Sequence, residues 1–319
     1  MKKNNKTIIM ILFFFVGLLV LLYPAISDFY NQKRQSKVIV DYESLLEKYS
    51  PNDYTELFDE ADKYNKELAS LKHPYIYYKE LKNYNKILDV NNTGMMGYIS
   101  IDKIKVELPI YHGTSEQVLS VAVGHLEGSS FPVGGIGTHS VLSAHRGLPS
   151  SKLFTDLNKL EIGDTFTVTI LDRLITYEVD QIEIVEPNDL KKLEIDPEKD
   201  YITLMTCTPY GINTHRLLVR GTRIENTKVK TYITTEAFQV SNLIVTPLVA
   251  LPIVFILLLS IIFKPIEKNY LEEYLNITQN NINIEKDTNN IKNLHKLNNI
   301  NKEKRTNKNT SINNKINTK

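Results

Sequence analysis

The chain has 319 residues and one cysteine, and its 38 Lys and Arg residues nearly balance its 37 Asp and Glu residues. A single cysteine excludes an intramolecular disulfide framework and any cysteine-rich zinc or iron–sulfur site. The balanced charge argues against a nucleic-acid-binding protein, which would carry a basic excess. The length accommodates one or two folded domains with a hydrophobic core.

The first apolar block spans residues 7–26 and contains no charged residue. About 20 helical residues cover the ~30 Å hydrocarbon core of a bilayer, so we predict a transmembrane helix here. Lys2, Lys3 and Lys6 precede the block, which predicts that residues 1–6 stay in the cytoplasm. A cleaved signal peptide is the alternative interpretation. For a signal peptide, the apolar region of residues 7–26 would be unusually long, and the residues at its end offer only a weak cleavage site.

A second uncharged block spans residues 243–263 and contains Pro247 and Pro252. Membrane helices tolerate proline, so we predict a second transmembrane helix that follows a linker over residues 226–242. No LPxTG-like site precedes this helix, so the chain does not resemble a sorting substrate.

The remaining residues, 264–319, form a tail rich in Asn and Lys. Its composition predicts disorder, and its positive excess predicts a cytoplasmic location. Contact with anionic lipid or RNA is conceivable, but a solvated tail is the simpler interpretation. With both termini in the cytoplasm, the residues between the two helices lie outside the cell membrane.

Residues 27–94 are predicted to be largely helical, because apolar residues between 41 and 88 recur at three- and four-residue spacing. From residue 95 onward the hydrophobic period changes to two. The strand candidates are 97–101, 106–111, 140–145, 165–170, 175–180, 181–185, 201–207 and 217–224, with a short helical piece at 152–160. Eight short strands predict a closed β-barrel over residues 95–225, because closure removes exposed strand edges.

Cys207 ends an apolar strand, and Pro209 and Gly211 stop that strand just beyond it. A lone cysteine is often a small buried hydrophobe. This one lies at a strand end and in a compartment where thiols are oxidised, which favours a chemical role. Arg216 follows nine residues later, where a hairpin return would set its guanidinium beside the thiol. A cation there favours the thiolate or stabilises an oxyanion.

A thiol nucleophile also needs a group that carries protons. His145 ends a predicted strand and is the leading candidate, whereas His125, His139 and His215 occupy less informative positions. The alternative for each is a surface or hydrogen-bonded histidine without a catalytic role. The Cys and His spacing matches no metal site, so we expect neither a metal nor another cofactor.

These residues resemble the sortase family. Residues 203–207 are similar to its TLxTC signature, and Arg216 stands at the family's arginine position. The stretches 97–101, 108–113, 123–128 and 143–149 resemble class C, pilin-polymerising sortases in particular. The resemblance covers residues 42–224 and implies a mainly β fold, the closed eight-stranded sortase barrel, with a Cys–His–Arg site in which His145 is the catalytic histidine. A second membrane helix near the C-terminus is usual for class C.

The resemblance also implies a lid in front of the barrel. Class C sortases typically carry an Asp-Pro-aromatic anchor there, and the matching residues of this chain are His73, Pro74 and Tyr75. The anionic residue is thus replaced by histidine, which predicts weaker closure over the site. The alternative is an ordinary proline-terminated loop with an exposed Tyr75.

The activity that the resemblance implies is that of a cysteine transpeptidase at the Gram-positive cell membrane, with its catalytic domain outside. It would cleave an LPxTG-like sorting signal between Thr and Gly through a thioester and transfer the acyl group to an amine. The expected partners are pilins with such signals, an acceptor amine on a pilin lysine and the membrane, but no nucleic acid. The alternatives are a wall-anchoring sortase that uses a peptidoglycan-precursor amine, a thiol protease, and a membrane-anchored surface protein without enzymatic activity.

Overall fold

The computed structural model describes residues 2–226, 254 and 267–316. The chain divides into two compact units, Met1–Phe238 and Gln239–Lys319. The predicted second transmembrane helix over 243–263 lies outside the described residues except for residue 254, and so does nearly all of the predicted linker.

A single helix, α1 (Lys2–Leu46), opens the first unit. Its segment Ile11–Leu46 is the one stretch of the described residues that is long and apolar enough to cross a membrane. The helix runs through residue 26 without a break, so the predicted span and the start of the predicted helical segment belong to one element. Its last turns bury Ile39, Tyr42 and Leu46 in the core, and the Tyr42 hydroxyl donates to the carbonyl of Met96 at 3.0 Å.

The middle of α1 is attached to the barrel by polar contacts. Asp28 Oδ1 accepts a hydrogen bond from the backbone N–H of Lys152 at 2.7 Å. Asn31 Nδ2 donates to the carbonyl of Ser150 at 2.7 Å. Both contacts fall in the loop that begins at His145, so α1 holds that loop directly.

Helix α2 (Pro51–Ser70) begins at a capping box, in which Ser50 and Asp53 satisfy each other's backbone N–H groups. It buries Phe58, Ala61 and Leu68 at helical spacing. The helical period predicted from residue 41 is therefore confirmed as far as residue 70. Beyond it lie only the one-turn helix α3 (Pro74–Tyr77) and two 3-10 turns, Tyr78–Glu80 and Tyr84–Lys86.

Eight strands and another one-turn helix follow. They are β1 (Met95–Ile101), β2 (Val106–His112), α4 (Glu116–Leu119), β3 (Val123–His125), β4 (Thr138–Ser143), β5 (Thr165–Ile170), β6 (Arg173–Val185), β7 (Asp200–Thr208) and β8 (His215–Ile224). The strands close a barrel in the order β1-β2-β3-β4-β7-β8-β6-β5. The pairs β2/β3 and β4/β7 are parallel, and the others are antiparallel. The predicted closed eight-stranded barrel is confirmed.

Three details of the predicted secondary structure are wrong. Segments 175–180 and 181–185 form one strand, β6, whose register shifts between Val179 and Gln181; this irregularity interrupts the alternation that the sequence pattern relies on. Strand β3 was not predicted, because three residues are too few to show a period of two. The helix expected over 152–160 is reduced to a 3-10 turn, Leu157–Lys159.

The second unit contains helix α5 (Glu267–Ile316) where composition predicts disorder. The described side chains of this helix are all exposed. A helix satisfies its backbone hydrogen bonds within the segment, so it can form without burying a face. A prediction of disorder from composition reflects only how much apolar surface the segment can bury, and it does not count these local hydrogen bonds.

Candidate active site

Neighbouring strands bring His145, Cys207 and Arg216 together. In the antiparallel β7/β8 ladder, Cys207 is the register partner of Arg216. In the parallel β4/β7 ladder, Ser143 is the partner of Met205. His145 follows Ser143 by two residues, and Cys207 follows Met205 by two, so the three predicted site residues lie side by side in one row across the sheet.

This row lies on the outer face of the barrel. Ile202 and Leu204 of β7 are buried in the core, and strand alternation places Cys207 on the opposite face. The thiol is free and partly exposed. Beneath it, Thr206 Oγ1 donates to the carbonyl of Ala144 at 2.8 Å. That buried bond joins the segment leading to His145 to the strand that carries Cys207.

His145 has an acidic neighbour that the sequence did not reveal. Its Nε2 lies 3.1 Å from Oε2 of Glu116 in α4, and the carboxylate side chain is 78% exposed. An ion pair this exposed contributes little to stability. Only the fold brings α4 to the end of β4, so no sequence spacing could have indicated Glu116.

Only one nitrogen of the Arg216 guanidinium donates hydrogen bonds to residues that the structure describes. Its Nη1 donates to the carbonyl oxygens of Asn213 at 3.3 Å and His215 at 3.1 Å. In the described part of the chain, neither Nη2 nor Nε of Arg216 donates to another residue. These donors remain available for a carbonyl oxygen or an oxyanion beside Cys207.

Two other histidines are structural rather than catalytic. His125 is fully buried, with Nε2 2.8 Å from the carbonyl of Ser130 and Nδ1 2.9 Å from the Tyr84 hydroxyl. Burial lowers its pKa to about 3. His139, bonded to Thr203 Oγ1 at 2.7 Å, is likewise buried, and burial lowers its pKa to about 4. Neutral, fully bonded imidazoles of this kind hold the barrel together. Among the described side chains, no cluster of His, Cys, Asp or Glu could hold a metal ion.

The predicted lid residue Tyr75 packs on the same outer face as the row. It contacts a small apolar cluster that includes Val141, Met205 and Leu218, and its hydroxyl donates to the carbonyl of Leu193 at 3.0 Å. Burial raises the pKa of Tyr75 above its ordinary value. Met205 and Leu218 are register partners, and this pair lies two residues along the ladder from the Cys207–Arg216 pair. Tyr75 therefore lies next to the row, which differs from an ordinary loop with an exposed tyrosine.

The lid backbone approaches the barrel at Gly128. This glycine has a φ of +90°, and a Cβ there would lie only 3.0 Å from the Cα of Tyr75. The side chain of His73, by contrast, is exposed and makes no hydrogen bond or ion pair with any residue that the structure describes. Its ring neighbour is Tyr77, with ring centroids 6.4 Å apart. The aromatic residue of the lid is thus docked, whereas the residue in the family's anionic position is not.

Comparison with known proteins identifies the family. A sortase domain model matches residues 99–224. Sortase D of Bacillus subtilis is 32% identical over 131 residues, which cover 40% of this chain and 63% of that relative, so the chain matches less than two thirds of its length.

Solved structures extend the likeness beyond the barrel. Sortase C1 from Streptococcus agalactiae is 51% identical, with a TM-score of 0.55, and the match covers 60% of this chain and all of that one. Sortase C of Streptococcus pneumoniae, whose structure addresses catalysis and pilin substrate specificity, is 42% identical. That match covers 59% of this chain and 96% of the other, with a TM-score of 0.54. These structural neighbours are class C sortases.

Proposed function

Because the chain belongs to the sortase family, whose members are cysteine transpeptidases, we propose that it is a membrane-anchored transpeptidase with Cys207 as its nucleophile. The row of His145, Cys207 and Arg216 on the outer barrel face is the observation that supports this best. A thiol, a group able to move protons and a fork of hydrogen-bond donors are the three parts that acyl transfer through a thioester requires.

In the first half-reaction, the Cys207 thiolate attacks the Thr carbonyl carbon of the Thr–Gly peptide bond in an LPxTG-like sorting signal. The carbonyl π electrons move to oxygen, and the free donors of Arg216 stabilise the resulting oxyanion. When the tetrahedral intermediate collapses, the C–N bond breaks and His145 donates a proton to the departing Gly amine. The products are a thioester on Cys207 and a peptide with a new amino terminus.

In the second half-reaction, an amine attacks the thioester carbonyl. His145 accepts a proton from the attacking amine, the C–S bond breaks, and Cys207 leaves as the thiolate. An amide has formed and the enzyme has returned to its starting state. The class C character of the structural neighbours supports a pilin lysine as the acceptor, so that each cycle adds an isopeptide bond to a pilus.

The same proposal assigns the surroundings of the site. Helix α1 anchors the protein through residues 7–26, residues 243–263 span the membrane again, and the barrel lies outside the cell. His73, Pro74 and Tyr75 form a lid that covers the apolar face next to the row. Docked Tyr75 supports this assignment, because an incoming sorting signal would contact the same face.

Incubation of the full-length protein in detergent with an LPxTG-like peptide tests the activity. We expect a peptide–enzyme thioester that hydroxylamine releases, and a lysine-containing pilin fragment should convert it to an amide. The Cys207→Ala variant is the control. Hydrolysis that no amine can divert would indicate a thiol protease, and transfer only to a peptidoglycan-precursor amine would indicate wall anchoring.

A further inference from the structure

The residue after His145 makes an unusual set of contacts. Three nitrogens of the Arg146 guanidinium each donate one hydrogen bond. Nη1 donates to Thr208 Oγ1 at 3.1 Å, Nε to the carbonyl of Thr155 at 3.2 Å, and Nη2 to Asn158 Oδ1 at 2.9 Å. The side chain is partly buried. Three acceptors in different directions match the planar fork of arginine and cannot be matched by one ammonium group.

The two ends of the Arg146–Thr208 bond adjoin the two residues that carry the proposed chemistry. Arg146 is the neighbour of His145, and Thr208 is the neighbour of Cys207. Thr208 is buried, with 7% of its surface exposed, whereas Cys207 is partly exposed. Strand alternation thus places the Thr208 side chain on the side of the sheet opposite the thiol.

An independent contact joins the same two loops. Gly147 has a φ of +78°, and a Cβ at this position would lie 2.8 Å from Cε2 of Tyr210. The guanidinium carbon of Arg146 lies 6.0 Å from the centroid of the same ring. The Tyr210 ring in the loop after Cys207 therefore packs directly against the loop after His145.

We propose that Arg146 is a positioning residue that holds His145 level with Cys207 by bridging these two loops. It touches neither the substrate nor the reacting atoms and acts through Thr208. The proposal rests on the proposed function, because it assigns Arg146 to the geometry of the His145–Cys207 pair. It accounts for a partly buried arginine fork at a point where β4 has already ended and no ladder bond of that strand fixes His145.

The test compares two variants at the acceptor Thr208 with one at the donor Arg146 and one at a second acceptor, Asn158. Thr208→Val removes the acceptor oxygen at nearly constant volume, and Thr208→Ser keeps it. Arg146→Lys keeps the charge and loses the fork, and Asn158→Ala removes a bond of the same guanidinium that does not reach the cysteine strand. All four are measured in the full-length protein in detergent.

The first readout is transfer kinetics. We expect Thr208→Val and Arg146→Lys to lower kcat about tenfold or more with KM changed less than about twofold, because misplacement of a proton-transfer group slows the reaction without weakening binding. Thr208→Ser should restore the rate. Asn158→Ala should cost about twofold at most, and the double variant Arg146→Lys/Thr208→Val should be no slower than either single variant. Multiplicative losses, or an equal loss in Asn158→Ala, would overturn the proposal.

The second readout is independent of transpeptidation. The rate at which a small reagent alkylates Cys207 is followed against pH in the wild type and in His145→Ala, which shows how the histidine affects the thiol. Arg146→Lys and Thr208→Val should shift this profile toward that of His145→Ala, and Thr208→Ser should keep the wild-type profile. Wild-type profiles in both loop variants would refute the role of Arg146. If the wild-type enzyme transfers no peptide, the proposed function is refuted. The role of Arg146 can still be tested in that case, because the pH profile of Cys207 alkylation remains measurable.

Discussion

The row of His145, Cys207 and Arg216 and the lid segment 73–77 lie on the same side of the barrel but are held in different ways. The Cys207–Arg216 pairing is one step of a continuous antiparallel ladder from Tyr201 to Thr208. The lid is a one-turn helix whose residue Tyr75 makes a single side-chain hydrogen bond to the barrel and packs against one small apolar cluster.

This difference predicts that substitutions in the row change the reaction, whereas substitutions in the lid change how easily Cys207 is reached. Side-chain substitutions in the row leave the backbone ladder intact, so they should change the reaction without moving the strands. Substitutions in the lid should shift the balance between covered and open states, because a few contacts determine that balance. The following five expectations test this contrast, beginning with the largest effect.

Replacement of the nucleophile should abolish transfer and leave the barrel folded. Cys207→Ala removes the only thiol in the chain, and loss of one partly exposed sulfur costs about 1 kcal/mol of packing. Thioester formation measured by mass spectrometry should fall to zero, while the melting temperature stays within a few degrees of the wild-type value. Residual transfer by this variant would disprove the assignment of Cys207.

Replacement of Arg216 or His145, the two neighbours of Cys207 in the row, should slow transfer while the barrel still folds. We expect Arg216→Lys to lower kcat about 10²- to 10³-fold, because a single ammonium cannot replace two oriented donors at an oxyanion. His145→Ala should lose at least as much, since it leaves no group to move the proton. Near-native kcat in Arg216→Lys would mean that Arg216 contributes only its charge.

Acid should weaken the barrel that supports the row. The pKa values of His125 and His139 are lowered by burial to about 3 and about 4. Between pH 6.5 and pH 4 the unfolded chain binds more protons at these sites than the folded one, so stability falls as the pH falls, by about 1.4 kcal/mol per pH unit for each group. Melting temperatures from pH 7.5 to 4.5 should fall, and the slope should be shallower in His139→Gln. An unchanged slope would show that His139 does not contribute.

Loss of the docked lid residue should open the site. Tyr75→Ala removes the ring that packs beside Met205 and Leu218, so we expect a small thiol reagent to label Cys207 about tenfold faster. Tyr77→Ala is the matched control, because Tyr77 lies in the same turn and is 43% exposed. Equal labelling rates in both variants would mean that Tyr75 does not limit access.

Restoring a carboxylate at the first lid position should have the smallest effect. The His73 side chain makes no polar contact in the described part of the chain, and we expect Asp at this position to add an attraction to the positive charge of Arg216. Exposed charge pairs contribute little, so His73→Asp should slow labelling of Cys207 only about two- to fivefold. His73→Asn provides a neutral control of similar size. Faster labelling in His73→Asp than in His73→Asn would contradict a closing role for this position.

The parts of the site that depend on local pairing could be predicted from the sequence. Cys207 and Arg216 stand nine residues apart around a Pro and Gly turn, and a hairpin pairs residues that are close along the chain. The number of short strand candidates likewise predicted a closed barrel, and two of them, 165–170 and 175–180, show a clear period of two. His145 was a candidate by its place at the end of a strand, and the resemblance to sortases selected it.

The remaining features depend on contacts between distant segments. Four features each join residues from separate parts of the chain: the parallel β4/β7 ladder, which ends two residues before His145, the short strand β3, the Glu116–His145 pair and the Arg146–Thr208 bond. Parallel strands need a crossover connection, so their register leaves no short-range pattern. The sequence by itself therefore determined which residues could carry the chemistry and that they lie on a barrel. Only the tertiary structure decided which residues support them, because hydrogen bonds between distant segments depend on how the strands and loops pack and leave no pattern along the chain.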